Sequence, residues 1–256
     1  MSADGRTLIF TEILGNDFKS SIGLVYRRHV DGSPAVPLGE GFANALSPDG
    51  NWVLAWLKDS LMLMPTGAGS VVTLPKGNLA EVGGASWLAD SKHIVFTGDT
   101  GNGKPRGHVQ EIPNGIPRAI TAEGFALAGK AAARDEQTVL GRSAGRWLLY
   151  PLNGGSPQSV AGIVDTDVPI QWSQNGEVLY VADNADGRNQ PGQPTIQIFR
   201  VEVASGRRTP WRTLTPLDPV GVEIDRGSVV MTADGQSYCY SFQRRLGDLF
   251  VADGLK

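Results

Sequence analysis

Acidic residues recur along the chain at a spacing of about 42 residues, each just before an apolar stretch, with a longer last interval. The members of this set are Glu40, Glu81, Glu123, Asp165 and Glu223, with Asp167 and Asp225 two residues beyond the last two. Carboxylates brought together raise one another's pKa unless a cation or a basic group neutralises them. Hard divalent ions take oxygen ligands, and zinc accepts them when an imidazole helps. One interpretation is therefore a carboxylate ring that binds Zn, Mn or Ca; the other leaves these acids as solvated loop residues.

A metal held on such a ring would determine the chemistry available. With one coordination position open, the ion polarises a phosphoryl or carbonyl oxygen and lowers the pKa of bound water. The corresponding function is a metal-dependent hydrolase of small esters, acting on phosphotriesters, aryl esters or lactones. The residue types assign no catalytic side chain beyond the metal ligands themselves. The three histidines, His29, His93 and His108, fall at unrelated positions in the repeat, so a histidine cluster is not expected.

The elements that must position these acids are short strands joined by tight turns. Residues 46–56 read LSPDGNWVLAW, in which Pro and Asp-Gly supply the turn between two apolar runs. The turn recurs with its acid or amide at Asp4, Asp49, Asp90, Asp135, Asn175 and Asp234. A period of about 40–45 residues is typical of a β-propeller blade with four strands. In a propeller, the loops before the inner strands meet at one mouth of the central channel, which is why the acids are expected to converge.

The repeats predict an all-β, six-bladed β-propeller that occupies residues 1–256 as one domain. Its repeats are 1–39, 40–80, 81–122, 123–164, 165–222 and 223–256. Only about 22 of the 24 strands of six full blades are expected, since the first repeat lacks its inner strand and the last its outer strand. We therefore expect a truncated piece of a longer chain. Unpaired blade edges favour pairing with a second copy, which predicts a homo-oligomer.

Composition excludes several classes of function. The formal net charge is −3 and basic residues are scattered, so a nucleic-acid partner is not expected. A single cysteine, Cys239, excludes an internal disulfide and any CxxC motif. No apolar run reaches the length of a membrane span, and the N-terminus has no signal-peptide pattern. The expectation is a soluble chain, cytoplasmic as given, or the extracytoplasmic propeller of a membrane-linked parent chain.

The sequence motifs of the repeats resemble those of known propellers. The pattern of Ser-x-Asp-Gly, an apolar strand and a glycine-rich turn resembles TolB-like β-propeller repeats. A closer resemblance is to the C-terminal propeller region of bacterial membrane-linked serine/threonine protein kinases, carried by GEGFANALSPDGNWVLAW, WLLYPLNGGSPQ, VPIQWSQNGEVLYV and YSFQRRLGDLFVADGLK. The chain has no HRD loop, DFG motif or glycine-rich nucleotide loop, so kinase activity is not implied. The resemblance implies a sensing or interaction module. The first functional hypothesis is accordingly a propeller that binds a small molecule or a protein on its channel face.

Overall fold

The computed structural model describes residues 1–14, 22–129, 132, 134–183, 195–224 and 226–244. Within them the chain forms successive antiparallel sheets, which confirms the all-β propeller prediction. Blade 1 has three strands, β1 (Thr7–Leu14), β2 (Ile22–His29) and β3 (Val36–Glu40). Blade 2 has four, β4 (Phe42–Leu46), β5 (Trp52–Leu57), β6 (Ser60–Pro65) and β7 (Val72–Thr73). Blade 3 has four, β8 (Glu81–Trp87), β9 (His93–Asp99), β10 (Arg106–Glu111) and β11 (Arg118–Ala119).

Two further blades complete the set of sheets with at least three strands. Blade 4 consists of β12 (Phe125–Leu127), β13 (Thr138–Ser143), β14 (Arg146–Pro151) and β15 (Gln158–Ser159). Blade 5 consists of β16 (Val168–Trp172), β17 (Val178–Ala182), β18 (Ile196–Glu202) and β19 (Arg208–Leu214). Blades 2 to 5 each run from an inner strand to an outer strand. Among the described residues, no fourth strand pairs with the three strands of blade 1.

The prediction of six blades is wrong for the part of the chain that the structure describes, which contains five. The described residues of the sixth repeat form two short ladders, β20 (Val222–Ile224) with β23 (Phe242–Arg244) and β21 (Val230–Met231) with β22 (Tyr238–Cys239). A 3₁₀ turn at Arg226–Ser228 interrupts the inner strand between β20 and β21. The described part of this repeat is therefore an interrupted hairpin rather than a sheet.

Apolar clusters between neighbouring sheets hold the blades together. Leu54 and Leu63 of blade 2 pack with Ile94 and Phe96 of blade 3, and all four are fully buried or nearly so. Equivalent clusters join blades 1 and 2, 3 and 4, and 4 and 5, and another joins blade 5 to the sixth-repeat hairpin. A blade is covered on both faces, which explains why β17 is buried at every residue instead of at alternate ones. Burial of each such side chain is worth about 1.5–3 kcal/mol.

The two ends of the described chain meet at their turns. A Cβ atom at Gly5, in the first turn, would lie 2.9 Å from Ser237 Oγ and 3.4 Å from Thr232 Cγ2 in the last turn. Val222, Ile224 and Met231 of the hairpin pack on blade 5. The sixth-repeat hairpin thus lies between blade 5 and blade 1 and completes the circle of turns.

The repeated turns are stabilised by the same side-chain hydrogen bonds. Ser47 Oγ donates to Asp49 Oδ1 at 2.5 Å and accepts from the Trp52 amide at 2.9 Å. The Asp49 carboxylate also accepts from the Asn51 amide. The pairs Ser2 with Asp4, Ser173 with Asn175 and Thr232 with Asp234 repeat this arrangement. Because these bonds are local in sequence, the turns present the ends of the inner strands in a defined position.

One buried histidine lies in the middle of blade 3. His108 on β10 is 6% exposed, stacks on Phe96 with ring centroids 5.7 Å apart, and shares a hydrogen bond between Nδ1 and the Arg106 carbonyl at 3.0 Å. Burial lowers the pKa of His108, because the charged imidazolium loses its hydration there.

This lowered pKa predicts a pH dependence of stability. The unfolded chain binds a proton near the ordinary value of 6.5, whereas folded His108 resists protonation, so the contribution of the neutral ring is complete above pH 6.5 and is lost as the pH falls below it. We expect the difference in unfolding free energy between wild type and His108→Gln, measured by urea titration, to shrink between pH 8 and pH 5. A difference that stays constant over that range would contradict the assignment.

Candidate functional site

The predicted acids lie at the entry side of the inner strands, but they do not share one environment. Glu40 is the last residue of β3, and Glu81 is the first residue of β8, where it pairs in register with Asp99. Both glutamates are exposed.

Two further members of the set are paired with basic side chains. Glu123 Oε2 lies 3.6 Å from Lys104 Nζ, and Asp165 Oδ2 lies 3.6 Å from Arg142 Nη2. All four side chains are more than a third exposed, so these ion pairs are weak. They nevertheless give each carboxylate a cation from its own surroundings.

Asp167 belongs to a buried ion pair. Its side chain is fully buried, and Arg208 donates to both of its oxygens, with Nη2 to Oδ1 at 3.0 Å. The Val164 amide also donates to Oδ2 at 2.9 Å, and the Arg208 guanidinium stacks 4.0 Å from the Phe199 ring centroid. Asp167 therefore fixes the loop that leads into β16 and is not available as a ligand.

The remaining two acids of the set are Glu223 and Asp225. Glu223 lies in β20, opposite Gln243, and Asp225 lies outside the described residues. Among the described residues, no three His, Cys, Asp or Glu side chains are close enough to hold a metal ion. Three of the described acids, Glu123, Asp165 and Asp167, each have a basic partner instead. Metal binding stays a prediction.

A cavity opens at the other end of the inner strands, where the turns meet. It has a volume of about 260 Å³, and its lining comes from residues 1–3, 44–48, 86–87, 170–171 and 230–233. The seven-residue strand β8 separates Glu81 from this end by about 20 Å. The lining combines apolar side chains such as Leu46, Trp87 and Met231 with hydroxyl and amide groups, and none of its side chains carries a charge.

The polar groups of this central cavity differ in what they already bind. Asn44 Nδ2 donates to the Ala85 carbonyl at 2.7 Å, and Trp87 Nε1 donates to the Ala45 carbonyl at 3.3 Å. These two bonds link blade 2 to blade 3 at the cavity wall. The side-chain amide of Gln171, on β16, has no hydrogen-bond partner among the described residues. It can therefore offer both a donor and an acceptor to a bound molecule.

The sequence analysis missed this cavity. Ser2, Ser47 and Thr232 of its lining belong to the repeated turns. Its other polar residues, Asn44, Ser86 and Gln171, do not occupy one repeated position with one residue type, so the period does not single them out. The only available signal was their place next to the repeated turns.

Comparisons with known proteins bear on the fold. No protein-family model and no curated protein matches the sequence. Among solved structures, TolB from Acinetobacter baumannii superposes with a TM-score of 0.64 at 16% identity, covering 93% of this chain and 63% of that chain. A putative TolB from Agrobacterium tumefaciens gives 0.59 at 14% identity, covering 92% and 88%. An oligogalacturonate lyase in complex with manganese gives 0.58 at 14% identity, covering 91% and 67%.

These likenesses establish architecture and not activity. At such low identity they show the fold alone, and this chain spans less than two thirds of the Acinetobacter baumannii protein. The described residues contain no helix long and apolar enough to cross a membrane. The chain has a TolB-like β-propeller fold.

Proposed function

We propose that this chain is a non-catalytic binding propeller whose central cavity takes an uncharged polar ligand, either a small molecule or an uncharged segment of a protein. The proposal rests mainly on the side-chain amide of Gln171. This amide lines a cavity without charged side chains and has no hydrogen-bond partner among the described residues. The lining side chains supply no counter-charge, so burial of a charged ligand group against them is unfavourable. A neutral amide or hydroxyl can satisfy Gln171 at no such cost.

The four methionines allow a direct test. Met231 and Met1 line the cavity, whereas Met62 and Met64 are buried between blades 1 and 2. We would label the methionine methyl groups with ¹³C and titrate with an end-blocked alanine dipeptide, then with the same dipeptide carrying a free carboxylate. We expect a saturable shift of the Met231 signal with the blocked peptide, unchanged Met62 and Met64 signals, and weaker binding of the charged form.

Substitutions of two glutamines test whether the blocked peptide binds in the central cavity. Gln171→Leu should weaken binding of the blocked peptide about tenfold, because one hydrogen bond is lost and the ligand group is left unpaired. Gln197→Leu, at an exposed position of β18 in the same blade, is the matched control and should bind normally. No shift of Met231, or equal binding by the Gln171 variant, would refute the proposal.

The second hypothesis, a metal-dependent hydrolase, stays a prediction. Glu123, Asp165 and Asp167 are each paired with a basic side chain, and no arrangement of the described acids favours a metal. The content of Zn, Mn and Ca in purified protein, with assays on aryl esters, lactones and phosphotriesters, tests it.

A further inference from the structure

A second cavity, of about 210 Å³, lies in blade 3, away from the central cavity. It is bounded by β9, β10 and β11 and by the loops that carry Asn102 and Glu123. His108 forms part of its lining, and Lys104 and Arg106 line it as well. The two cavities share no lining residue.

The polar side chains on this face of β10 leave one ring nitrogen available. Arg106, His108 and Gln110 alternate with Gly107 and Val109, so the three polar side chains share a face. Gln110 Nε2 is satisfied by the carbonyls of Pro75 and Gly115, at 2.8 and 2.7 Å. His108 Nδ1 must donate to the Arg106 carbonyl, since a carbonyl oxygen only accepts. His108 Nε2 is then a hydrogen-bond acceptor, and it has no partner among the described residues.

The charges around this histidine are unbalanced. Arg106 Nε is held by the Thr121 carbonyl at 3.0 Å, and no partner for its two terminal nitrogens occurs among the described residues. Lys104 forms an ion pair with Glu123, in which Nζ lies 3.6 Å from Oε2. Two cations and one carboxylate leave a formal charge of +1, while Leu79, Pro117 and Ala119 supply apolar wall. A ligand that fits must donate a hydrogen bond, carry about one negative charge and have a carbon skeleton.

We propose that this blade 3 cavity binds a small hydroxycarboxylate, with its hydroxyl donating to His108 Nε2 and its carboxylate held by Arg106 and Lys104. A phosphate monoester fits less well, because it carries close to two negative charges at neutral pH. The site is independent of the central cavity and does not rest on the function proposed for it.

The imidazole nitrogens of the three histidines give the readout. We would record ¹H–¹⁵N correlations of the imidazole rings at pH 7.5, assign them with His29→Gln and His93→Gln, and titrate wild-type protein with L-lactate. We expect a saturable shift of His108 Nε2, with a dissociation constant of about 1 to 10 mM, and unchanged signals from His29 and His93. Propionate, which lacks the hydroxyl, and 1,2-propanediol, which lacks the carboxylate, should each bind at least about tenfold more weakly.

Substitutions at the mouth of the cavity test the charge requirement without disturbing the core. Lys104→Gln and Arg106→Gln should each weaken lactate binding about tenfold. Lys92→Gln, an exposed lysine of the same blade, should bind lactate as wild type does. The proposal is overturned if lactate gives no saturable shift, if propionate binds equally well, or if Lys104→Gln and Arg106→Gln both leave binding unchanged. The Met231 methyl signal should not respond to lactate, which separates this site from the central cavity.

Discussion

Asp167→Asn is expected to lower the free energy of unfolding by about 3–5 kcal/mol. The carboxylate is fully buried, and its removal leaves the Arg208 guanidinium, 22% exposed, without its counter-charge. Asparagine keeps the shape of the side chain and creates no cavity. The loss of unfolding free energy therefore measures the contribution of the charge and its hydrogen bonds. We expect the lower half of the range, because partial exposure of Arg208 lets water compensate. Urea unfolding followed by tryptophan fluorescence measures the change.

Asp165→Asn is the matched control for this buried pair. Asp165 lies two residues earlier in the same loop, is 70% exposed, and approaches Arg142 only to 3.6 Å. Its replacement should change the unfolding free energy by less than about 1 kcal/mol. If the two variants were equally stable, the pair of Asp167 with Arg208 would not be a major contribution to the fold. A large loss in Asp167→Asn alone would also show that this acid is structural, unlike a channel ligand.

Gly162→Ala is expected to destabilise the protein by about 2–4 kcal/mol, from steric overlap and backbone strain together. Gly162 has φ of +80°, and a Cβ atom there would lie 2.3 Å from the Gly206 carbonyl oxygen and 2.9 Å from Val201 Cγ1. A backbone oxygen cannot turn aside as a flexible side chain can. The turn of blade 5 that contains Gly206 would have to move away from blade 4.

Gly124→Ala separates strain from steric overlap. Gly124 has a similar φ of +77°, but a Cβ atom there would meet nothing within 4 Å. It should cost only about 1 kcal/mol, the strain of a left-handed backbone conformation. The difference between the two variants in urea unfolding then measures the contact of blade 4 with blade 5. Equal losses would mean that Gly162 is required only for its backbone conformation.

The repeated turns are where sequence reasoning worked best. Ser47 and Asp49, like Ser2 with Asp4 and Thr232 with Asp234, form their hydrogen bonds within a few residues, so the local sequence is sufficient to predict them. The period between such turns indicated blades, and the described strands form successive antiparallel sheets at that period. The sixth repeat was predicted less well, since the interruption at Arg226–Ser228 leaves the period unchanged.

By itself, the sequence determined the all-β class, the positions of the turns and the order of strands within a blade, because each depends on hydrogen bonds and apolar patterns between near neighbours in the chain. Only the tertiary structure decided which acids were neutralised: Arg208 reaches Asp167 and Lys104 reaches Glu123 across strands, and no repeat marks those partners. It also placed Gln171 at the central cavity and His108 at the cavity in blade 3. A period shows that residues are equivalent, but the exposure and the partners of each side chain depend on neighbouring blades that are distant in sequence.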